Sequence, residues 1–221
     1  LLTVEGEWVG EVGFDGEVRW SATSDSSVHP FHHDIDAQGD YGYAVWAEVQ
    51  VLEGTDYVID GIDVYDRTNG DLVDSLWLAD LLNPLETGLG HGASFYWAST
   101  FGSGNEDYTH INAFHVGDDG HLYASLYSHD AIFVMNGGPT TPDFGTHRWT
   151  LIGMDDSPLA PGDLDFFSSS GHPVSFSHEH HVEMHEDGIM TLFDNQSQPL
   201  SRAIRVDVDE AAGTADLVDS W

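Results

Sequence analysis

The stretch HINAFHVGDDGHLYASLYSHDAIFVMNGG, residues 110–138, decides how the rest of the chain reads. Its segments HLYASLY and AIFVMN carry the period-two pattern of strands, and Gly-Asp-Asp-Gly and Asn-Gly-Gly flank them. Such segments between glycine and aspartate turns predict short antiparallel strands. With HRWTLIG at 147–153, the stretch makes a unit of four strands that opens on a histidine.

The same order recurs on both sides. Upstream stand HHDIDAQG (32–39), YGYAVWAEVQV (41–51), DYVIDGIDVYDRTNG (56–70) and DLVDSLWL (71–78). Downstream stand HHVEMHEDG (180–188), IMTLFDN (189–195), SRAIRVDVDEAAG (201–213) and TADLVDSW (214–221). Before all three, LTVEGEWVGEVGFDGEVRW reads as the last two strands of an earlier unit, turning at Asp15-Gly16. Tandem four-stranded units predict an all-β β-propeller; a β-sandwich also uses short strands but does not predict the repeat.

The expected organisation is a partial blade over 1–28, blades over about 29–84, 106–155 and 176–221, and a loop over 156–175. That loop is rich in Pro and Gly, and its Phe166 and Phe167 look exposed, so it reads as a lid or contact surface. The only helical candidate is LADLLNPL at 78–85, expected to stop at Pro84. Three and a half blades cannot close a ring of about four to eight. The chain also begins at LLTVEGEWVGEV, with neither an initiator methionine nor a signal peptide, so a fragment of a longer protein is expected.

Composition narrows the partners. Against 39 acidic residues stand five basic ones, all arginine (Arg19, Arg67, Arg148, Arg202, Arg205), for a formal charge of −34. That charge excludes nucleic acid and anionic membranes as partners held through a basic patch. No run of about 18 apolar residues is present, so no membrane-inserted helix is expected. The chain has no cysteine, which removes disulfides and thiolate metal sites. The scattered acid fits a folded protein in high salt or an acidic secreted one, and the expected location is secreted or periplasmic.

Each unit opens with histidine at the start of its first strand: His33 (or His32), His110 and His180, spaced by 77 and 70 residues. In a propeller the first strand of each blade is innermost, so three imidazoles are expected to meet at the axial channel. Asp34, Asn112 and Glu179 beside them are polar where a buried strand start is ordinarily apolar. In SHEHHVEMHEDG, His180 reads as the inward residue in the register of His110, with His178, His181 and His185 as rim or inter-strand residues.

DGEVRW, HPFHHDI, THINAF, EHHVEMHEDGIMTLFDN and SRAIRVDVD together resemble the arylsulfotransferase family, the nucleotide-independent arylsulfate sulfotransferases built on a six-bladed propeller. The resemblance spans about residues 14–210. It implies that His33 matches the family's first site, His110 and Asn112 its His-x-Asn, and His180 its covalent nucleophile, 14 residues before Asp194. Glu179 replaces a glutamine, and Ser201-Arg202 matches a Ser-Arg. Ser125-Leu126-Tyr127 stands where the family has Ser-x-Arg, so the arginine that reaches the sulfate is replaced by Tyr127.

The resemblance implies small aryl sulfate and phenol substrates and sulfuryl transfer through a sulfohistidine, with His180, His110 and His33 catalytic. Asn112, Arg202, Tyr127 and Asn195 then bind substrate, and no cofactor is required. Two other readings stay open. His33, His110 and His180 could hold a divalent transition metal. Alternatively, the chain is a non-enzymatic secreted surface or assembly module, with self-association possible.

Overall fold

Strands form where the period-two pattern places them. The computed structural model of the chain describes residues 2–5, 7–25, 28–88, 96–195 and 200–221, with the side chains of residues 2–5 excepted. The chain is all-β, and among the described residues the helical pieces are single turns. It divides into two compact units, residues 1–110 with 138–144, and residues 111–137 with 145–221.

The first unit opens with β1 (Leu2–Glu5), β2 (Trp8–Val12) and β3 (Val18–Thr23), an antiparallel sheet of three strands where the sequence suggested two. Next come β4 (Phe31–Gln38), β5 (Tyr41–Leu52), β6 (Thr55–Asp66) and β7 (Leu72–Trp77), paired in chain order. The short β8 (Glu106–Asp107) joins this sheet in parallel to β6. β5 and β6 pair over their whole length, from Tyr41 opposite Asp66 to Leu52 opposite Thr55. Trp20, Phe31, Trp46 and Tyr65 fill the core between the two sheets. Gly61 makes room for this packing, because a Cβ there would fall 2.2 Å from the Trp46 ring.

Pro84 begins a helix rather than ending one. A 3-10 turn covers Leu78–Asp80, and α1 runs Pro84–Thr87 with the Asn83 side chain accepting from the Leu85 N–H. Proline at the first helical position loses no hydrogen bond, and asparagine is a favoured cap.

The second unit holds β9 (Ile111–Val116), β10 (Leu122–Leu126), β11 (Ala131–Met135) and β12 (His147–Ile152) as one antiparallel sheet in chain order. β13 (Asp165–Ser168) lies inside the segment read as a loop. It pairs in parallel with the last strand of the next sheet, Asp165 opposite Thr214. That sheet contains β14 (His180–Met184), β15 (Ile189–Asp194), β16 (Arg202–Asp209) and β17 (Thr214–Ser220). Phe166 is therefore buried, its ring edge-on to Phe176 at 5.9 Å. Trp149, Leu151, Met190, Leu192, Ile204 and Val206 build the core between the two sheets.

In this unit the two sheets meet at their first strands. β14 approaches β9 and β10 within 8 Å between Cα atoms, closer than the roughly 10 Å of sheets stacked face to face. Four-stranded meanders that converge at their first strands are the blades of a β-propeller. In this unit the strand start that carries His180 therefore lies on the inner side of its blade.

Candidate active site

The first unit gathers two of the three expected histidines. The His33 and His110 rings lie 4.9 Å apart, and Tyr96 packs on both, at 4.8 Å and 5.2 Å. Both histidines have left-handed backbone, φ 54° and 48°, at the start of a first strand. That region is unusual for a residue other than glycine and marks positions where strain serves a site.

Two buried carboxylates stand behind this pair. His110 donates from Nδ1 to Asp107 Oδ2, and the Trp97 indole N–H donates to Asp107 Oδ1 at 3.1 Å. Burial works against a charge on His110, but the hydrogen bond and charge of Asp107, with the charge of Asp60, outweigh it and raise the pKa. His32, treated in the sequence only as a substitute for His33, is buried. Its Nε2 lies 2.9 Å from Asp60 Oδ1 and its Nδ1 lies 2.7 Å from His33 Nδ1.

The second unit holds His180, Asn112, Asn195 and Tyr127. Nδ1 of half-buried His180 lies 2.7 Å from the Asn195 side-chain nitrogen, 3.3 Å from that of Asn112 and 3.1 Å from the His178 carbonyl. Ser125 hydrogen-bonds the Asn112 carbonyl oxygen at 2.9 Å, tying β10 to the bulge at Asn112. The Tyr127 ring is edge-on to His178 at 4.4 Å and to His180 at 6.1 Å.

Hairpin register places the histidines differently from the sequence reading. Val116 pairs with Leu122, and Met184 with Met190, across turns of equal length. Counting back from these pairs, His110 corresponds to His178, which shares its left-handed backbone at φ 51°, and Asn112 corresponds to His180. By the same count Tyr127 corresponds to Asn195. His178 sits between strands. Its N–H donates to buried Asp130 at 2.7 Å, and its ring packs on Tyr127.

Glu179 is fully buried. Burial is the main reason its carboxyl pKa lies well above the usual range, and the Asp130 charge adds to it. The shift favours its neutral form, which has the shape of the glutamine it replaces. Ser125 Oγ lies 2.8 Å from the Glu179 carbonyl and 3.1 Å from its Oε1. Arg202 is engaged elsewhere, with Nε on Asp194 at 2.9 Å and a terminal nitrogen on the Ser175 carbonyl at 2.7 Å. Among the described residues, no group of three or more His, Asp and Glu side chains is gathered as a metal site.

The family model for Arylsulfotransferase (ASST) matches residues 1–221, the whole chain. The chain belongs to the arylsulfotransferase family. No curated protein matches it in sequence. Among solved structures, a protein of unknown function from Bacteroides caccae superposes with TM-score 0.54 at 8% identity over 100% of this chain and 56% of its own, a likeness of fold. A candidate 6-phosphogluconolactonase from Bacteroides fragilis gives TM-score 0.40 at 13% identity, over 100% of this chain and 66% of its own. The chain thus spans less than two thirds of either structure.

Within the family reading, sequence reasoning missed the supports Asp60, Asp107 and Asp130, and named His32, Ser125 and His178 without their supporting contacts. Each reaches its partner across strands or through a loop, so no local motif announces it. Only His178 left a signal, since it stands ten residues before Gly188 as His110 stands ten before Gly120.

Proposed function

We propose that the chain carries catalytic residues of a sulfotransferase that moves a sulfuryl group from an aryl sulfate to a phenol, with His180 as the nucleophile. Membership of the arylsulfotransferase family supports the reaction class. The observation that carries the residue assignment is the convergence of Asn195, Asn112 and the His178 carbonyl on one ring nitrogen of His180. Anchoring Nδ1 orients the ring; Nε2 is the nucleophilic nitrogen in the tautomer whose Nδ1–H donates to the carbonyl, and the two amide N–H groups favour the other tautomer.

In the first half-reaction, the Nε2 electron pair forms an N–S bond and the S–O bond to the aryl group breaks, with its pair leaving on the phenolate. In the second, a phenol oxygen takes the sulfuryl group and the N–S pair returns to the imidazole. Asn112, beside His180, adds a neutral donor for the sulfuryl oxygens. No nucleotide enters either step, and the kinetics are ping-pong.

The test is mass spectrometry of protein mixed with a chromogenic aryl sulfate and quenched within one turnover. A sulfuryl adduct on His180 that disappears on adding phenol is expected, and His180→Asn abolishes both adduct and transfer. An adduct on another residue, or transfer undiminished in His180→Asn, overturns the assignment.

A further inference from the structure

We infer that Ser125 is a positioning residue for the His180 site: it donates its only proton to Asn112, which holds the NH2 end of that amide toward His180, and buried Glu179 permits this by standing beside the serine as a carboxylic acid. All four residues lie in the second unit. The bearing on sulfuryl transfer rests on the proposed function; the hydrogen-bond chain itself does not.

A count of protons at Ser125 sets the direction of each bond. Its Oγ, buried on β10, lies 2.8 Å from the Glu179 carbonyl oxygen, 2.9 Å from Asn112 Oδ1 and 3.1 Å from Glu179 Oε1. Three oxygen atoms thus surround a hydroxyl that has one proton to give. The backbone carbonyl and the Asn112 oxygen only accept, so the carboxyl is the one of the three able to bring a proton of its own. With that proton on Oε1, Glu179 donates to Ser125, and the serine O–H is shared between Asn112 Oδ1 and the Glu179 carbonyl as a three-centre bond. An ionised Glu179 would be the strongest acceptor of the three and would take the serine proton from Asn112.

The far oxygen of the carboxyl also favours the acid. Glu179 Oε2 is buried and has no hydrogen-bond partner among the described residues. A carboxylate would leave half its charge on that oxygen, whereas the acid leaves only a carbonyl lone pair there, a smaller loss. Burial and the Asp130 charge act in the same direction; the nearby N–H groups of Glu179 and Ala131 oppose them without prevailing.

Held through Oδ1, Asn112 turns its side-chain nitrogen toward His180, 3.3 Å from Nδ1. Without the serine proton, Oδ1 would face the lone pairs of Ser125 Oγ, and the amide gains by turning over. That brings an acceptor to the His180 ring and removes the neutral donor beside the nucleophile. Ser125 thus sets, one hydrogen bond away, which end of the amide the imidazole meets.

The test begins with 13C NMR of the unaltered protein, labelled in its glutamate carboxyls, at pH 7. The Glu179 signal, identified by its loss in Glu179→Gln, is expected at the position of a neutral acid. In 15N NMR, Ser125→Ala should shift the His180 tautomer toward Nδ1–H, as should Asn112→Ala, and the double variant should go no further than Asn112→Ala alone. Glu179→Gln leaves the serine proton where it is and should keep the parent His180 signal. Sulfuryl transfer from a chromogenic aryl sulfate should fall at least about 10-fold in Ser125→Ala and in Asn112→Ala, with no further loss in the double variant.

A Glu179 carboxylate signal in the unaltered protein overturns the inference, whatever the variants do. So do an unmoved His180 signal in Ser125→Ala, and effects of Ser125→Ala and Asn112→Ala that simply add. If the unaltered protein transfers no sulfuryl group but the carboxyl and ring signals behave as expected, the sulfotransferase reading fails and the hydrogen-bond chain stands.

Discussion

The Asn195 side-chain amide donates to the His178 carbonyl and faces His180 Nδ1, both at 2.7 Å. Bound to the carbonyl, the amide cannot turn over, so it presents an N–H to a nitrogen that the same carbonyl, 3.1 Å from it, would have protonated. The tautomer of His180 is a competition between these partners. Asn195→Ala removes the amide donor and releases the carbonyl. The His180 tautomer should shift toward Nδ1–H by 15N NMR, and an unshifted ring would mean that Asn112 alone sets it.

Glu179 offers a stability measurement. Its folded pKa is raised, so the folded state holds a proton that the unfolded chain loses above about pH 4.5. Stability from this group is therefore full in acid and falls as pH rises toward the folded pKa. Glu179→Gln keeps the shape and cannot ionise. It should raise the melting temperature at pH 7 and leave it unchanged at pH 4. A variant less stable at both pH values would mean that the carboxyl group itself is required.

His110 gives a complementary pH test. Its folded pKa is raised above the usual 6.5 because the hydrogen bond and charge of Asp107, with the Asp60 charge, outweigh the opposing effect of burial. The charged pair stabilises the fold fully below pH 6.5, and the contribution disappears as pH climbs through the folded pKa. Asp107→Asn should lower stability at pH 6 and converge on the parent at high pH, read from urea melts across pH. A deficit constant with pH would place the role of Asp107 in packing and in the Trp97 bond.

The blades were legible because strand alternation and Gly-Asp turns are local signals, and β4–β7, β9–β12 and β14–β17 follow them. β13 was not, since its partner β17 lies 49 residues later and their pairing is parallel, outside hairpin logic. His110 and Asn112 could be read from one tripeptide. The carboxylates that hold the site could not, because Asp60 and Asp107 reach the histidines from β6 and β8. Register was the subtler loss. His180 looked like the partner of His110 because both precede apolar alternation, whereas the hairpin count pairs His110 with His178.

Arg202 separates a structural from a substrate role. Its guanidinium pairs with Asp194, which is 1% exposed and also accepts the Ser177 N–H at 3.0 Å. Arg202→Ala leaves that carboxylate buried without its cation, a loss on the order of 3 kcal/mol. A drop in denaturation midpoint with KM for aryl sulfate unchanged in the remaining folded protein is expected. A raised KM with stability intact would instead put Arg202 on the sulfate.

Tyr127 stands where the family resemblance places an arginine, and its ring lies 6.1 Å from that of His180. A phenol has no fixed positive fork for a sulfuryl oxyanion, and guanidinium supplies one with two parallel N–H donors. The neighbours of an introduced arginine are favourable: His178 and His180 pack on this position, while Asp130 is already bonded by the His178 N–H. Tyr127→Arg should therefore raise kcat for sulfuryl transfer, by up to about 100-fold if the new cation matches one oxyanion-hole donor. The gain should vanish in the double variant with His180→Asn, because charge stabilisation has nothing to act on without the nucleophile. A Tyr127→Arg protein with folding intact and kcat unchanged would show that this position does not face the sulfuryl group.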